Sequence, residues 1–246
     1  YKDNRNISFH FLCNRIVDTV SVIMNKKYVY EIYRTAGLLK ADCLWQESGW
    51  KDIRFLSIVN YMGARPEYPP EAKVRLIYDH EFLHVFFAVR EKFTRCKERS
   101  VNGAVWEDSC VEFFFSPDNN SPERYFNLEV NCGGVPLMHY NIVPRKEYIE
   151  VSPEDLSMIE IYHSLPGVID PEITGTTGWI VAYSLPMDII RKYSGITHPS
   201  PGVVWRANFY KAAVNNSNPH YMTWAPIDNP VPDFHLPRFF GELIFR

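Results

Sequence analysis

Alternation constrains this chain more than any other feature: in stretch after stretch, apolar side chains recur at every second residue. That is the period of a strand with one buried face. In FLHVFFAVR, Leu83, Val85, Phe87 and Val89 fall on one side. In SCVEFFF, Val111, Phe113 and Phe115 oppose Cys110, Glu112 and Phe114. In YFNLEVN, Phe126, Leu128 and Val130 alternate with an unbroken polar row of Tyr125, Asn127, Glu129 and Asn131. In VVWRANFY, Val203, Trp205, Ala207 and Phe209 oppose Val204, Arg206, Asn208 and Tyr210. GWIVAYSLP and the terminal FGELIFR supply two further strands, and turns such as SPDNNSPE and NCGG separate the runs. Many strands at this spacing predict an all-β chain, an antiparallel β-sandwich of jelly-roll or immunoglobulin-like kind. One or two short helices are expected as well, over 155–161 or 187–192.

Composition agrees. Aromatic residues make up 15% of the 246, which favours strands, where broad side chains pack on a pleated surface. No internal repeat or low-complexity linker divides the chain, so a peripheral N-terminal segment over 1–25 and one domain over 26–246 are expected. The net charge of −3 gives no basic footprint for nucleic acid. No apolar run reaches the roughly 18 residues of a membrane span, and no stretch near the start reads as a secretory signal. Five dispersed cysteines without CxxC spacing read as free thiols and weakly favour a reducing, intracellular setting.

The polar rows carry the chemistry. Glu112, Asn127, Glu129, Asn131, Arg206 and Asn208 are carboxylates, amides and a guanidinium, groups that match the hydroxyls of a sugar. The plain alternative is the solvent side of an antiparallel sheet, although such sides are usually rich in Lys and Thr and these rows hold neither. Trp106 and Trp224 stand where strand patterns break, in NGAVWEDS and YMTWAPIDNP. A flat indole covers the C–H face of a pyranose, but either Trp would serve equally as a lid over the core.

Other motifs lead elsewhere. His80–His84 reads HEFLH, the zinc-protease pattern, but it runs into a strand. There, four residues span roughly 13 Å, too far for both histidines to share one zinc at about 2 Å. No nucleophile elbow or phosphate loop occurs. Ser116–Asn120 collects hard oxygen ligands suited to a structural calcium, or forms an ordinary Asx-rich turn. No other cofactor is expected. Glu112 with Glu129, or Glu107 with Asp108, leaves a glycoside hydrolase or lyase as the second reading. A haem or redox sandwich using Met138 and His139, or Met222 and His220, is a third, and a purely structural or protein-binding role a fourth.

VWEDSCVEFFFSP followed by YFNLEVNCGG resembles the family 9 carbohydrate-binding modules, in which a Trp precedes a Glu-bearing strand. GWIVAYSLP, VVWRANFYK, YMTWAP and FHLPRFFGELIF follow in that family's order, after an opening WKDI and VRLIYDHEFLHVFFAV. The likeness runs from Leu44 to Phe245. It implies an antiparallel sandwich that binds a mono- or oligosaccharide without cleaving it, of a kind usually appended to xylanases and related enzymes. Association with glycoside hydrolases in polysaccharide utilisation follows as an expectation. By the resemblance, Trp106 and Trp224 sandwich the sugar, Glu112 bonds its hydroxyls and Asn208 adds a polar contact. Asn127 stands where better-known members place an Arg, a departure that bears on sugar specificity.

Overall fold

The computed structural model describes residues 28–35, 50, 52–196 and 198–246. The expected peripheral segment 1–25, with Cys13, and also Cys43, lie outside the described residues. In chain order the strands are β1 (Val29–Arg34), β2 (Leu56–Ile58), β3 (Asn60–Tyr61), β4 (Glu71–Tyr78), β5 (Phe82–Glu91) and β6 (Thr94–Cys96). There follow β7 (Cys110–Ser116), β8 (Tyr125–Asn131), β9 (Pro136–Val143), β10 (Glu147–Glu150) and β11 (Glu160–His163). The last are β12 (Ile169–Ile173), β13 (Thr177–Pro186), β14 (Val204–Ala213), β15 (His220–Thr223) and β16 (Gly241–Phe245).

One layer runs β10-β9-β8-β7-β14-β16, with β15 and β3 continuing beside β14. The other runs β4-β5-β13-β11, with β2 beside β4. β1 joins them by pairing parallel to both β16 and β4, while the remaining pairings are antiparallel. The sheet thus curls over itself into the antiparallel sandwich the alternation predicted, and β6 with β12 forms a separate ribbon.

The inward sets are those read from parity. Leu83, Val85, Phe87, Val89, Val111, Phe113, Phe115, Phe126, Leu128, Val130, Trp205, Ala207 and Phe209 all lie in the main core. Phe87 of one layer meets Phe209 of the other at 6.3 Å between ring centroids. Burying one such ring contributes roughly 1.5–3 kcal/mol, so the layers are held mainly by these contacts.

A charged cluster also sits inside the sandwich. Lys211 Nζ of β14 lies 2.9 Å from Glu91 Oε2 of β5, and Glu91 Oε1 accepts from the Trp179 indole at 2.8 Å. Lys211 also donates to the Ala212 carbonyl and to His220 Nε2, and His220 Nδ1 is 2.7 Å from the Asn218 carbonyl. The ion pair therefore ties one layer to the other.

Local chemistry explains the turns and helices. Asp79 Oδ1 accepts from the amides of Glu81 and Phe82, making the β4–β5 turn, so HEFLH is turn and strand as expected. His84 is buried, with its ring nitrogens on Asp79 and Ser184. Helix α1 (Pro153–Leu156) starts on the Ser152 hydroxyl, which accepts from the Asp155 amide, and α2 (Met187–Ser194) ends at Gly195, whose φ of 74° suits the left-handed cap. The first helix is shorter than expected, because residues from Glu160 pair with β13 instead. The three described cysteines, Cys96, Cys110 and Cys132, are buried free thiols.

Candidate functional site

Three neighbouring strands place the polar row in register. Glu112 on β7 pairs with Glu129 on β8, and Phe114 pairs with Asn127. Across from β8 on β9, His139 faces Asn127 and Asn141 faces Tyr125. These side chains share the face turned away from the main core, which by itself would be the solvent side.

It is not the solvent side here. The stretch 225–240 folds across it and brings a second apolar cluster of its own. Phe234 stacks on Tyr210 at 4.1 Å, Phe240 meets Tyr125 edge-on at 5.6 Å, and the His235 ring sits 5.0 Å from Phe114. Glu112, Asn127 and Glu129 are consequently 4% exposed or less, while Asn131 is buried against Glu98 and Asp108, to which its amide donates. The covering segment, nearly 100 residues downstream of β8, rules out the alternative of a solvated face.

Between sheet and cover lies a cavity of about 440 Å³. Glu112, Asn127 and Glu129 line it, and His139, Asn141, Arg145 and Asp233 add polar groups. Trp106 and Tyr148 line it too, 42% and 56% exposed, so both offer open aromatic faces. Trp106 rides on a 3-10 turn (Val105–Glu107) fixed on both sides. Asp108 accepts from the amides of Lys97 and Glu98 and from the Asn131 side chain, and Asn215 bonds Glu107 through backbone and side chain. Tyr148 is stacked on His139 at 4.4 Å.

The amides form a directed chain. Asn141 Nδ2 donates to Asn127 Oδ1 at 2.6 Å, and Asn127 Nδ2 donates to Glu129 Oε1 at 2.9 Å. Glu112 differs: among the described residues its carboxyl makes no hydrogen bond, and it lines the cavity. Burial, reinforced by the neighbouring Glu129, raises its pKa well above the carboxylate range. Burial lifts Glu129 from 4.5 to about 7, against the opposing hydrogen bond from Asn127 and the charge of Arg145. Arg145 is itself held by Asp233, with Nε at 3.0 Å from Oδ1. Burial drops His235 to about 3, and the Tyr125 hydroxyl lies 2.6 Å from its Nδ1, so the ring is neutral.

The other residues singled out from sequence lie elsewhere. Trp224 is 6% exposed and belongs to the main core, tilted on Phe209 at 5.6 Å and edge-on to Tyr28 at 5.9 Å. Gly241 admits its ring, since a Cβ there would come within 2.7 Å of it. Trp224 therefore does not line the cavity opposite Trp106, a correction to the expected sandwich. Asn208 is fully buried, and its amide bonds both the N–H and the carbonyl of Ala225, fixing the start of the covering segment. Arg206 donates to the carbonyls of Arg238 and Phe240 and lines a separate groove of about 290 Å³, beside His235. Ser116–Asn120 is an Asx turn in which Asp118 Oδ1 accepts from the Asn120 amide. Met138 and His139 point to opposite faces of β9, one into the core and one into the cavity.

Sequence reading missed Tyr148, His139, Asn141, Arg145, Tyr221, Asp233 and Phe234 in the cavity wall. His139 and Asn141 were within reach: PLMHYNIV alternates from Met138 to Ile142, and extending the parity argument to β9 adds both. The covering residues carry no local signal.

Glu112 and Glu129 stand side by side on one floor, rather than on either side of a space where a glycosidic bond could lie. The comparisons agree that the chain binds without cleaving. A candidate carbohydrate-binding protein from Bacteroides uniformis is 28% identical, with a TM-score of 0.80 over 89% of this chain and 99% of that one. Two structures of a family 9 carbohydrate-binding module from Caldicellulosiruptor kristjanssonii, one in complex with cellotriose and one with glucose, share the fold at 13% identity. Their TM-scores are 0.56 and 0.57, over 89% of this chain and 93% and 95% of theirs. Among curated proteins none matches significantly. The profile of carbohydrate-binding family 9 matches residues 47–245, and the chain belongs to that family of non-catalytic binding modules.

Proposed function

We propose that the cavity between β7, β8, β9 and the covering segment is the sugar site, with one saccharide unit laid against Trp106. The observation that carries this reading is Glu112: a carboxyl 2% exposed, aimed into a cavity, and without a hydrogen bond among the described residues. Buried polar groups are nearly always partnered, so one left open at a cavity floor is a group awaiting a ligand. Glu112, Glu129 and Asn127 supply hydroxyl partners, and the Asn141–Asn127–Glu129 chain fixes their orientation. Tyr148, rather than Trp224, is the second aromatic surface that a bound ring would meet. Two aromatic surfaces and three or four net hydrogen bonds of about 0.5–1.5 kcal/mol each suit micromolar to millimolar affinity.

Isothermal titration tests this with glucose, xylose, cellobiose, xylobiose and galactose-type oligosaccharides, run against the native chain, Trp106→Ala and Trp224→Ala. Saturable heat that disappears in Trp106→Ala, and survives in whatever fraction of Trp224→Ala folds, supports the site. Binding indifferent to Trp106 places the sugar elsewhere.

A further inference from the structure

The carboxyl pair also bears on which sugars enter, an inference that rests on the site just proposed. Glu112 and Glu129 are directly opposed across an antiparallel ladder, where facing Cβ atoms are about 4.5–5.5 Å apart. Both are buried, and among the described residues neither makes an ion pair. The Cys110 thiol and the Tyr125 and Tyr210 hydroxyls near them are held neutral by burial. Arg145 is held by Asp233, and Lys211 is 2.9 Å from Glu91 inside the sandwich. His139 and His235 are pushed below their usual value by burial. Two carboxylates so placed cannot both ionise cheaply, and the pair retains a proton near neutrality.

We infer that this floor selects its ligand by charge: a saccharide carrying an ammonium group binds more tightly than its neutral parent, and a uronic acid more weakly than either. An ammonium placed on the pair substitutes for the shared proton. It lets both carboxylates ionise and gives the unpartnered Glu112 a charge-assisted donor. The step is a simple exchange in which the ligand's N–H groups donate to carboxylate oxygen and one proton leaves to buffer. A uronate brings a third negative charge to a floor whose neighbouring guanidinium, Arg145, is already engaged by Asp233.

The experiment is titration of the full chain with glucose, glucosamine and glucuronic acid at pH 5.5 and pH 7. Glucosamine is expected to bind about tenfold more tightly than glucose at pH 7, the ratio between a charge-assisted and a neutral hydrogen bond. The advantage shrinks at pH 5.5, where the pair holds its protons, whereas glucose binding barely changes. The heat should vary with the ionisation enthalpy of the buffer for glucosamine and not for glucose. Glu129→Gln, which keeps the shape and the link to Asn127, should bring the ratio of glucosamine to glucose affinity, both measured in the same variant, down to about one, whatever that variant's own affinity for glucose. Glucosamine no tighter than glucose, or glucuronic acid equal to glucose, overturns the charge selection and leaves the site intact. If no sugar binds, or binding ignores Trp106→Ala, the site itself is wrong and this inference falls with it.

Discussion

Buried acidic groups from the two layers have opposite fates. Inside the sandwich, Glu91 is met by Lys211 at 2.9 Å and by the Trp179 indole at 2.8 Å. On the outer face of the layer that carries Lys211, Glu112 is as deeply buried and has no hydrogen-bond partner among the described residues. Lys211 and Tyr210 are adjacent on β14, yet one side chain enters the ion pair and the other stacks beneath the cover. The inner cluster is closed, with each charge answered by the protein. The outer one is open, and its unanswered groups face a space large enough for a sugar ring. Burial alone does not mark a binding site; burial with missing partners does.

The contrast can be broken by experiment. Lys211→Met would strand Glu91, and unfolding in urea should register a loss of about 3–5 kcal/mol. Sugar affinity of the molecules that remain folded should not change. A loss below about 1 kcal/mol would mean the inner pair does not hold the layers together.

The two tryptophans sharpen the same division. Trp224→Ala empties a core position and should cost about 3–5 kcal/mol in a denaturant titration. Trp106→Ala, at an exposed face, should cost within about 0.5 kcal/mol of stability while weakening sugar binding. Reversal of these two signatures would exchange the roles assigned here.

Glu112→Gln should lower the affinity for a neutral sugar about fivefold, the loss of one neutral hydrogen bond of about 0.5–1.5 kcal/mol. Its melting temperature should stay level or rise, because a buried carboxyl without a partner has been replaced by a neutral amide. A marked fall in stability would show that Glu112 is structural after all.

The smallest effect is in pH dependence. Glu129 is ionised near 4.5 when unfolded and near 7 when folded, so its contribution is fully present below pH 4.5 and is lost as pH rises through 7. His220 and His235 run the other way. Their folded values of about 2 and 3 lie below the unfolded 6.5, so their contribution is present above pH 6.5 and is lost as pH falls. Glu112, also raised, adds to the slope of Glu129, so the two carboxyls and the two histidines offset one another in the native chain between pH 4.5 and 6.5. Glu129→Gln should gain on it progressively toward pH 7, by on the order of 1 kcal/mol. A constant offset between the two curves would place the perturbed group elsewhere.

The sandwich and the floor of the site were legible because both depend on parity. Strands alternate sides, so a row such as Phe126, Leu128, Val130 against Asn127, Glu129, Asn131 declares two faces whatever the strand later pairs with. Glu112, Asn127 and Glu129 were found this way, and His139 and Asn141 needed only the same step on β9. Trp106 and Trp224 were indistinguishable by that means, since both interrupt a strand pattern amid polar and proline residues. What separates them is distant. Trp224 enters a space left by Gly241 and roofed by Tyr28, whereas Trp106 sits 42% exposed on a turn pinned by Asp108 and Asn215.

The sequence by itself therefore determined which side chains share a face, and with that the layered architecture and the acidic floor, because side-chain direction in a strand is set by local covalent geometry. Only the tertiary structure decided which polar face would be covered, which tryptophan would be core, and which buried carboxyl would be left without a partner. Those outcomes depend on where stretches nearly 100 residues apart come to rest, and no period within a single strand records that.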